Sequence, residues 1–237
     1  MKIVKIILMH FGLPLKGSLE IYSDINVGKG LSSSTADMVA ASRAIESCYG
    51  ISISNKLLQS FLRQIEPSDG VMYPGVVSFY HRKVRLREFL GEVSPITIVA
   101  IDEGGEVSTV EFNKISKPFS KEDKLEYQSL LNKILLAIKR RDLETIGKIA
   151  TRSAILDQKL IPKKNLNYMI AICEEIKGLG VIVTHSGTCI GIMLSNESTE
   201  YHNQLRLAKE RIKNLTDEVL IHYSWKESNY EKEAFIY

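Results

Sequence analysis

The sequence predicts an α+β protein of two domains, with helices packed on an antiparallel sheet. Two observations support this class. From about Pro95 onward the patterns follow the order strand, helices, strand, strand, helix, strand, which is typical of helices covering one sheet. The 237 residues are 44% hydrophobic and 25% charged, the composition of a globular protein with a substantial core. We predict one domain over residues 1–95 and a second over 96–237.

The first domain is expected to begin with one strand and two helices. The alternating stretch GSLEIYSDINV (17–27) predicts a strand that ends at a loop. Apolar residues at helical spacing predict a helix from about Ser33 to Tyr49, with Gly50 as its C-cap. A second helix is expected from Ser54 and must end before Pro67.

The rest of the chain is expected to alternate strands with longer helices. β-Branched and alternating runs predict strands, and apolar residues at helical spacing predict helices. The predicted strands are VRLREFL (84–90), the buried run PITIVAID (95–102), the weaker EVSTVEFN (106–113), two strands within VIVTHSGTCIGIMLS (181–195), and EVLIHYSW (218–225). The predicted helices cover 125–138, 142–160, 165–180 and 199–213.

The charge balance excludes an electrostatic nucleic-acid binder. The 31 basic and 28 acidic residues leave a net charge of only +3. The basic run HRKVRLR (81–87) alternates with apolar residues at period two, which is the pattern of a half-exposed strand. No nucleic-acid partner is expected.

The cysteines and apolar runs predict a cytoplasmic protein without a membrane partner. Cys48, Cys173 and Cys189 are far apart and lack the spacing of a zinc site or a disulfide framework. The amino-terminal apolar run contains a lysine and no small-residue cleavage site, and no run reaches the roughly 18 apolar residues of a membrane span.

The stretch VGKGLSSSTADMVAA (27–41) has the features of an anion site. Glycines at a strand end, followed by a helix start, present free backbone N–H groups and the positive end of the helix dipole. Ser32, Ser33, Ser34 and Thr35 add hydroxyls, and Lys29 adds a cation. The alternative is an ordinary loop whose serines only cap the helix. The spacing matches neither a Walker A loop nor a dinucleotide-binding loop.

This stretch resembles the second motif of the GHMP kinases (galactokinase, homoserine kinase, mevalonate kinase, phosphomevalonate kinase). Its closer match is the L-threonine kinase branch of the cobalamin and propanediol-utilisation pathways, with a loop like G-K-G-[ML]-x-S-S-T-A-D. QIEPSDGVMYPGVVSFYH (64–81) resembles the E-P-T-D segment of that branch, VTHSGTCIGIML (183–194) resembles the third motif, and LIPKKN (160–165) its L-P-K-P stretch. The motifs occur in family order.

The resemblance implies a two-domain GHMP kinase fold. The amino-terminal part would be truncated and similar to domain 2 of ribosomal protein S5, and the carboxyl-terminal domain would be ferredoxin-like. It also implies ATP and Mg²⁺ as cofactors and a small-molecule substrate, an amino acid or amino alcohol, with L-threonine converted to L-threonine O-3-phosphate.

The resemblance further implies roles for individual residues. Asp69 and Lys29 are expected to be catalytic, with Ser34 and Glu66 at the metal. The nucleotide is expected at Gly28, Lys29, Gly30, Leu31, Ser32, Ser33, Ser34 and Thr35, and the substrate at His185, Ser186, Gly187 and Thr188. From the residues alone Asp69 could be a turn aspartate, Glu66 a helix-end charge and His185 structural.

The resemblance fails at the amino terminus. GHMP kinases of this branch begin with a longer region that includes a first motif of the P-A-S-x-G-E-L kind, and no stretch of this sequence matches it. The sequence is therefore expected to lack strands of the first domain and to leave an open sheet edge. A second copy or a complementing subunit would cover that edge. The alternative function is an incomplete or degenerate GHMP-fold protein that binds a nucleotide or a partner without independent kinase activity.

Overall fold

A computed structural model describes residues 1–107, 112 and 115–224 of the chain. These residues form two compact units. The first comprises residues 1–27 and 31–89, and the second comprises residues 28–30 and the described residues after 89. The boundary expected between residues 95 and 96 stays a prediction about domains.

The first unit contains three helices and a two-stranded sheet. The helices are α1 (Lys2–His10), α2 (Ser33–Tyr49) and α3 (Asn55–Leu62), and the strands are β1 (Val76–Tyr80) and β2 (Arg85–Gly91), whose last two residues belong to the second unit. The apolar faces of the three helices form one core, in which the side chains of Ile3, Ile7, Leu58 and Leu62 are fully buried.

The two internal helices of this unit confirm the sequence prediction. Helix α2 begins at Ser33 and ends at Gly50, whose left-handed φ of 63° is the C-cap geometry that glycine favours. Ser54 caps α3 by accepting a hydrogen bond from the Leu57 N–H. Helix α1 and strand β1 were not predicted from the sequence.

The strand predicted over residues 17–27 is wrong. The segment has no regular secondary structure, and Leu19, Ile21, Tyr22 and Val27 expose large parts of their side chains. A strand is stabilised by hydrogen bonds to a neighbouring strand, and the described part of the chain places none beside this segment. The alternation of apolar and polar residues was therefore not enough to produce a strand in this segment.

The second unit is built on a four-stranded antiparallel sheet in the order β4-β5-β3-β6. Its strands are β3 (Ile96–Asp102), β4 (Gly180–Val183), β5 (Cys189–Ser195) and β6 (Leu220–Tyr223). Ala100 of β3 lies opposite Gly191 of β5. The predicted buried run is confirmed, since β3 lies between two neighbours and Val99 is fully buried.

Among the residues that the structure describes, four helices with defined bounds accompany this sheet. They are α4 (Lys121–Lys139), α5 (Leu143–Asp157), α6 (Leu166–Glu175) and α7 (Tyr201–Ile212), close to the predicted bounds. Helices α5, α6 and α7 bury apolar side chains against the sheet, with Met169 of α6 and Ile212 of α7 fully enclosed. The α+β class is confirmed. The weaker strand expected over 106–113 lies mostly outside the described residues.

No helix among residues 1–107, 112 and 115–224 is both long enough and apolar enough to cross a membrane.

Candidate active site

Helix α2 is preceded by a serine that does not cap it. Ser32 occupies the N-cap position with φ 59° and ψ 28°, the left-handed region, and its side chain makes no capping hydrogen bond. Its hydroxyl instead donates to Oδ2 of Asp69 at 2.6 Å. The first N–H groups of α2 therefore have no side-chain cap, and they point out from the positive end of the helix dipole.

Asp69 is held by two residues at the start of α2. Its backbone N–H donates to Oγ1 of Thr35 at 3.3 Å, and Thr35 is buried. The carboxylate, held by Ser32, is exposed to solvent. The structure thus brings together the two features that the resemblance connected, the serine-rich helix start and the aspartate.

Glu66 lies against the same helix start. The hydroxyl of Ser34 donates to Oε1 of Glu66 at 2.5 Å. Carboxylate and hydroxyl oxygens are ligands that Mg²⁺ accepts, and Mg²⁺ is usually held by one or two carboxylates together with substrate phosphates. Within the described residues no group of three or more His, Cys, Asp or Glu side chains could hold a metal alone. The pair fits a shared site of this kind.

In the second unit, Gly28, Lys29 and Gly30 pack on the turn between β4 and β5. A Cβ on Gly30 would lie 2.9 Å from the Cα of Gly187, and a Cβ on Gly187 would lie 1.9 Å from the carbonyl oxygen of Lys29. Gly30 also has a φ of 76°, which glycine adopts without strain. Both glycines are required by this close backbone approach.

Lys29 is fixed by an ion pair. Its ammonium lies 2.6 Å from Oδ2 of Asp102 and donates to the carbonyl of Gly105 at 2.7 Å. The hydrogen bond to Asp102 raises the pKa of Lys29. Burial raises the pKa of Asp102, but hydrogen bonds from Lys29, Thr188 and Gly104 outweigh it and hold that pKa below its ordinary value.

These contacts favour a role for Lys29 in holding the loop. The hydroxyl of Thr188, the turn residue just before β5, also donates to Asp102. The Asp102 carboxylate therefore joins the glycine segment to this turn. Two of the three ammonium donors of Lys29 are engaged within the protein. The catalytic role predicted for Lys29 stays a prediction.

The remaining residues predicted for the substrate lie around this turn. Ser186 is buried, and the ring of His185 meets the edge of Phe112 with centroids 5.3 Å apart. Lys163 was missed from the sequence. It is buried and donates to the carbonyl of Gly187 at 2.7 Å, and burial lowers its pKa.

Two of these residues carry positional signals in the sequence. Asp102 is the polar residue that ends a buried strand, a place where functional side chains concentrate, and Lys163 lies in the quoted LIPKKN stretch. Their partners, however, lie 73 residues upstream and 24 residues downstream, respectively, and no sequence period connects such pairs.

Comparison with known proteins identifies the family. A model described as "GHMP kinases N terminal domain" matches residues 1–75, and one described as "GHMP kinases C terminal" matches residues 134–213. Together they cover more than half of the chain. The chain belongs to the GHMP kinase family.

Relatives of this GHMP kinase chain agree with that assignment. It is 27% identical over 203 residues to the L-threonine kinase of Salmonella typhimurium, covering 82% of this chain and 66% of that protein. It is 25% identical over 193 residues to the L-threonine kinase of Citrobacter freundii, covering 79% of this chain and 67% of that protein. The chain thus spans about two thirds of the length of these relatives.

Solved structures confirm the GHMP kinase fold. The mevalonate kinase of Methanococcus jannaschii has a TM-score of 0.70 at 20% identity, covering 93% of this chain and 72% of that chain. The homoserine kinase of Cytophaga hutchinsonii has a TM-score of 0.66 at 16% identity, covering 94% of this chain and 74% of that chain.

Proposed function

We propose that this GHMP kinase chain is an ATP- and Mg²⁺-dependent small-molecule kinase that phosphorylates a hydroxyl group, with L-threonine as acceptor and L-threonine O-3-phosphate as product. The observation that carries the proposal is the placement of Asp69. Its carboxylate is exposed, and Ser32 and Thr35 hold it at the uncapped start of α2. A carboxylate beside a phosphate-binding helix start is the pairing that transfer to a hydroxyl requires.

The loop from Gly28 to Thr35 is proposed to bind the phosphates of ATP. Its glycines let the backbone approach a ligand closely, and the N–H groups at the start of α2 are not capped by the Ser32 side chain. Ser33 is buried and Ser34 is exposed, so the two hydroxyls meet different surroundings. Leu31 joins the glycines to the serines.

Ser34 and Glu66 are proposed to hold Mg²⁺. Bound there, the ion supplies charge neutralisation for the transferring phosphoryl group. The two side chains already lie in contact through a hydrogen bond of 2.5 Å. Their oxygens would complete the coordination that phosphate oxygens and water begin.

Asp69 is proposed to orient the acceptor hydroxyl and take up its proton. The hydroxyl oxygen forms the new bond to the γ-phosphorus, the bond from that phosphorus to the bridging oxygen breaks, and ADP leaves. General-base assistance of this kind contributes about 10²–10⁴-fold to a rate. Most of the remaining acceleration comes from alignment of the two substrates.

L-Threonine is proposed as the acceptor because both curated relatives reported above are L-threonine kinases. We propose that His185, Ser186, Gly187 and Thr188 contact it, as the third motif implies, and that the product serves cobalamin side-chain synthesis. We also propose a cytoplasmic location, since three free cysteines are typical of a reducing compartment.

Association with a second copy or a complementing subunit belongs to the same proposal. Leu15, Leu19, Ile21, Tyr22 and Val27 are exposed along one segment without regular secondary structure, and large exposed apolar patches mark interaction surfaces. If the chain binds ATP but turns over no acceptor by itself, the alternative function as a nucleotide-binding partner subunit is favoured. Light scattering after size exclusion measures the association directly.

The test measures ADP release by the purified chain with ATP, Mg²⁺ and each of L-threonine, L-serine, homoserine and mevalonate. Mass spectrometry then identifies the phosphorylated product. We expect L-threonine to give the highest kcat/KM, and Asp69→Asn to lower kcat by about 100-fold or more.

The matched control is Asp217→Asn, an identical change at an exposed turn residue of the second unit. It should leave kcat unchanged. Absence of both ATP-dependent thermal stabilisation and turnover of every acceptor would refute the kinase proposal, whereas turnover of a different acceptor would refute only the choice of L-threonine.

A further inference from the structure

Ser32 has a backbone conformation that L-amino acids avoid. Its φ of 59° lies in the left-handed region, where the Cβ crowds the following carbonyl. Glycine would adopt this conformation freely. A serine at the start of α2 therefore costs backbone free energy that a glycine would not cost. The reason for a serine at this position must lie in its side chain.

That side chain does not serve the helix. Ser32 occupies the N-cap position, where a serine normally accepts a hydrogen bond from an N–H of the first turn, and here it accepts none. Its hydroxyl donates to Oδ2 of Asp69 at 2.6 Å. In this left-handed conformation the hydroxyl therefore contacts the aspartate and does not cap the helix.

We propose that Ser32 is a positioning residue for Asp69, retained at the cost of backbone strain because its hydroxyl fixes the orientation of the carboxylate. The inference rests on the proposed function, in which Asp69 receives the acceptor hydroxyl. Thr35 holds the backbone N–H of Asp69, and Ser32 holds Oδ2. Because Oδ2 accepts from Ser32, Oδ1 is the oxygen proposed to receive the acceptor hydroxyl.

This role differs from binding a phosphate oxygen. A serine that served only ATP would change the KM for ATP when its hydroxyl is removed. A serine that only shaped the loop would be replaced by glycine without loss. A positioning residue lowers kcat in both its glycine and its alanine variants, because both lack the donor.

The experiment compares Ser32→Gly with Ser32→Ala. Both variants should lose about tenfold in kcat, the loss expected when a hydrogen bond to a charged group is removed, with the KM for ATP little changed. Their thermal midpoints should differ, with the glycine variant about 2–4 °C above the alanine variant, because only glycine relieves the left-handed strain. Stability and kcat then change independently.

A second pair controls for the backbone change. Arg141 is exposed and has a φ of 55° in the second unit, between α4 and α5. Arg141→Gly and Arg141→Ala should show the same order of midpoints with wild-type kcat. In an Asp69→Asn background, Ser32→Gly should cause no further loss, because the residue acts through Asp69.

Ser32→Asn provides a conservative rescue. Asparagine tolerates the left-handed region and carries an N–H₂ donor, so this variant should recover part of the lost kcat. A Ser32→Gly enzyme with wild-type kcat, or one changed only in the KM for ATP, would overturn the inference and leave the kinase proposal standing. A wild-type chain with no turnover would overturn the proposed function and this inference with it.

Discussion

Replacing Gly187 with alanine would insert a methyl group into the backbone of the glycine loop. An ideal Cβ at this position would lie 1.9 Å from the carbonyl oxygen of Lys29 and 2.4 Å from the nitrogen of Gly30. Real Cβ atoms essentially never approach another heavy atom within 3.0 Å, so the carbonyl of Lys29 must move by about 1 Å. Gly187 itself lies outside the left-handed region, so the variant measures the contact and not backbone strain at residue 187.

The size of the effect follows from that displacement. A misplacement of about 1 Å in a catalytic arrangement can cost about 100-fold in rate, which corresponds to about 2.7 kcal/mol of transition-state stabilisation. Overpacking costs about 1–3 kcal/mol of folding free energy, and each 1 kcal/mol lowers the thermal midpoint by about 2–4 °C in a protein of this size.

The assay measures kcat/KM for ATP and the thermal midpoint of Gly187→Ala beside Gly180→Ala. A Cβ on Gly180 would lie 2.1 Å from the carbonyl oxygen of Gly147, a clash of similar severity at the other end of β4. Both variants should lose stability, and only Gly187→Ala should lose about 100-fold in kcat/KM. Equal activities for the two variants would refute the reasoning that the turn shapes the phosphate loop.

Three further predictions test the charges around the loops. The folded pKa of Asp102 lies below its unfolded value of 3.8, so the stabilisation by this carboxylate is present above pH 3.8 and is lost as pH falls through the folded pKa. Lys29→Met should remove most of this acid dependence of the unfolding free energy. Urea titrations at a series of pH values measure it. Glu66→Gln and Ser34→Ala should each raise the Mg²⁺ concentration for half-maximal activity by about tenfold, and an unchanged requirement would exclude the pair from the metal site. Burial raises the pKa of Asp157, and its Oδ2 accepts no hydrogen bond within the described residues, so wild-type stability declines as pH rises from 3.8 through the folded pKa. Asp157→Asn should therefore increase the unfolding free energy at neutral pH. Identical pH profiles of stability for the two proteins would contradict this.

Local sequence patterns predicted the helices because the relevant signals are local. Helix α2 begins and ends where its serines and Gly50 indicated, and the buried β3 run lies inside its sheet. The strand expected over residues 17–27 failed for the opposite reason, since its existence depends on a partner strand elsewhere in the chain. Propensity describes what a segment can form, and pairing determines what it forms.

The candidate site shows the same division. The resemblance selected Asp69, Glu66 and the serine run together, and the structure places them in contact. No sequence pattern predicted that Asp102 would neutralise Lys29 or that Lys163 would hold the turn at Gly187. Ion pairs and buried lysines depend on which side chains meet after folding, and hydrogen bonds and burial together decide in which direction their pKa values move.

By itself, the sequence determined the family, the α+β class and the stretch from Gly28 to Thr35 as the phosphate-binding candidate, because motif order and helix signals are written along the chain. The tertiary structure alone decided how those residues are used. It directed the Ser32 hydroxyl to Asp69 and not to its helix, and it made Lys29 the partner of Asp102. Hydrogen bonds and ion pairs join atoms that approach within about 3 Å. Only the folded backbone, with Gly30 and Gly187 in close contact, sets those distances.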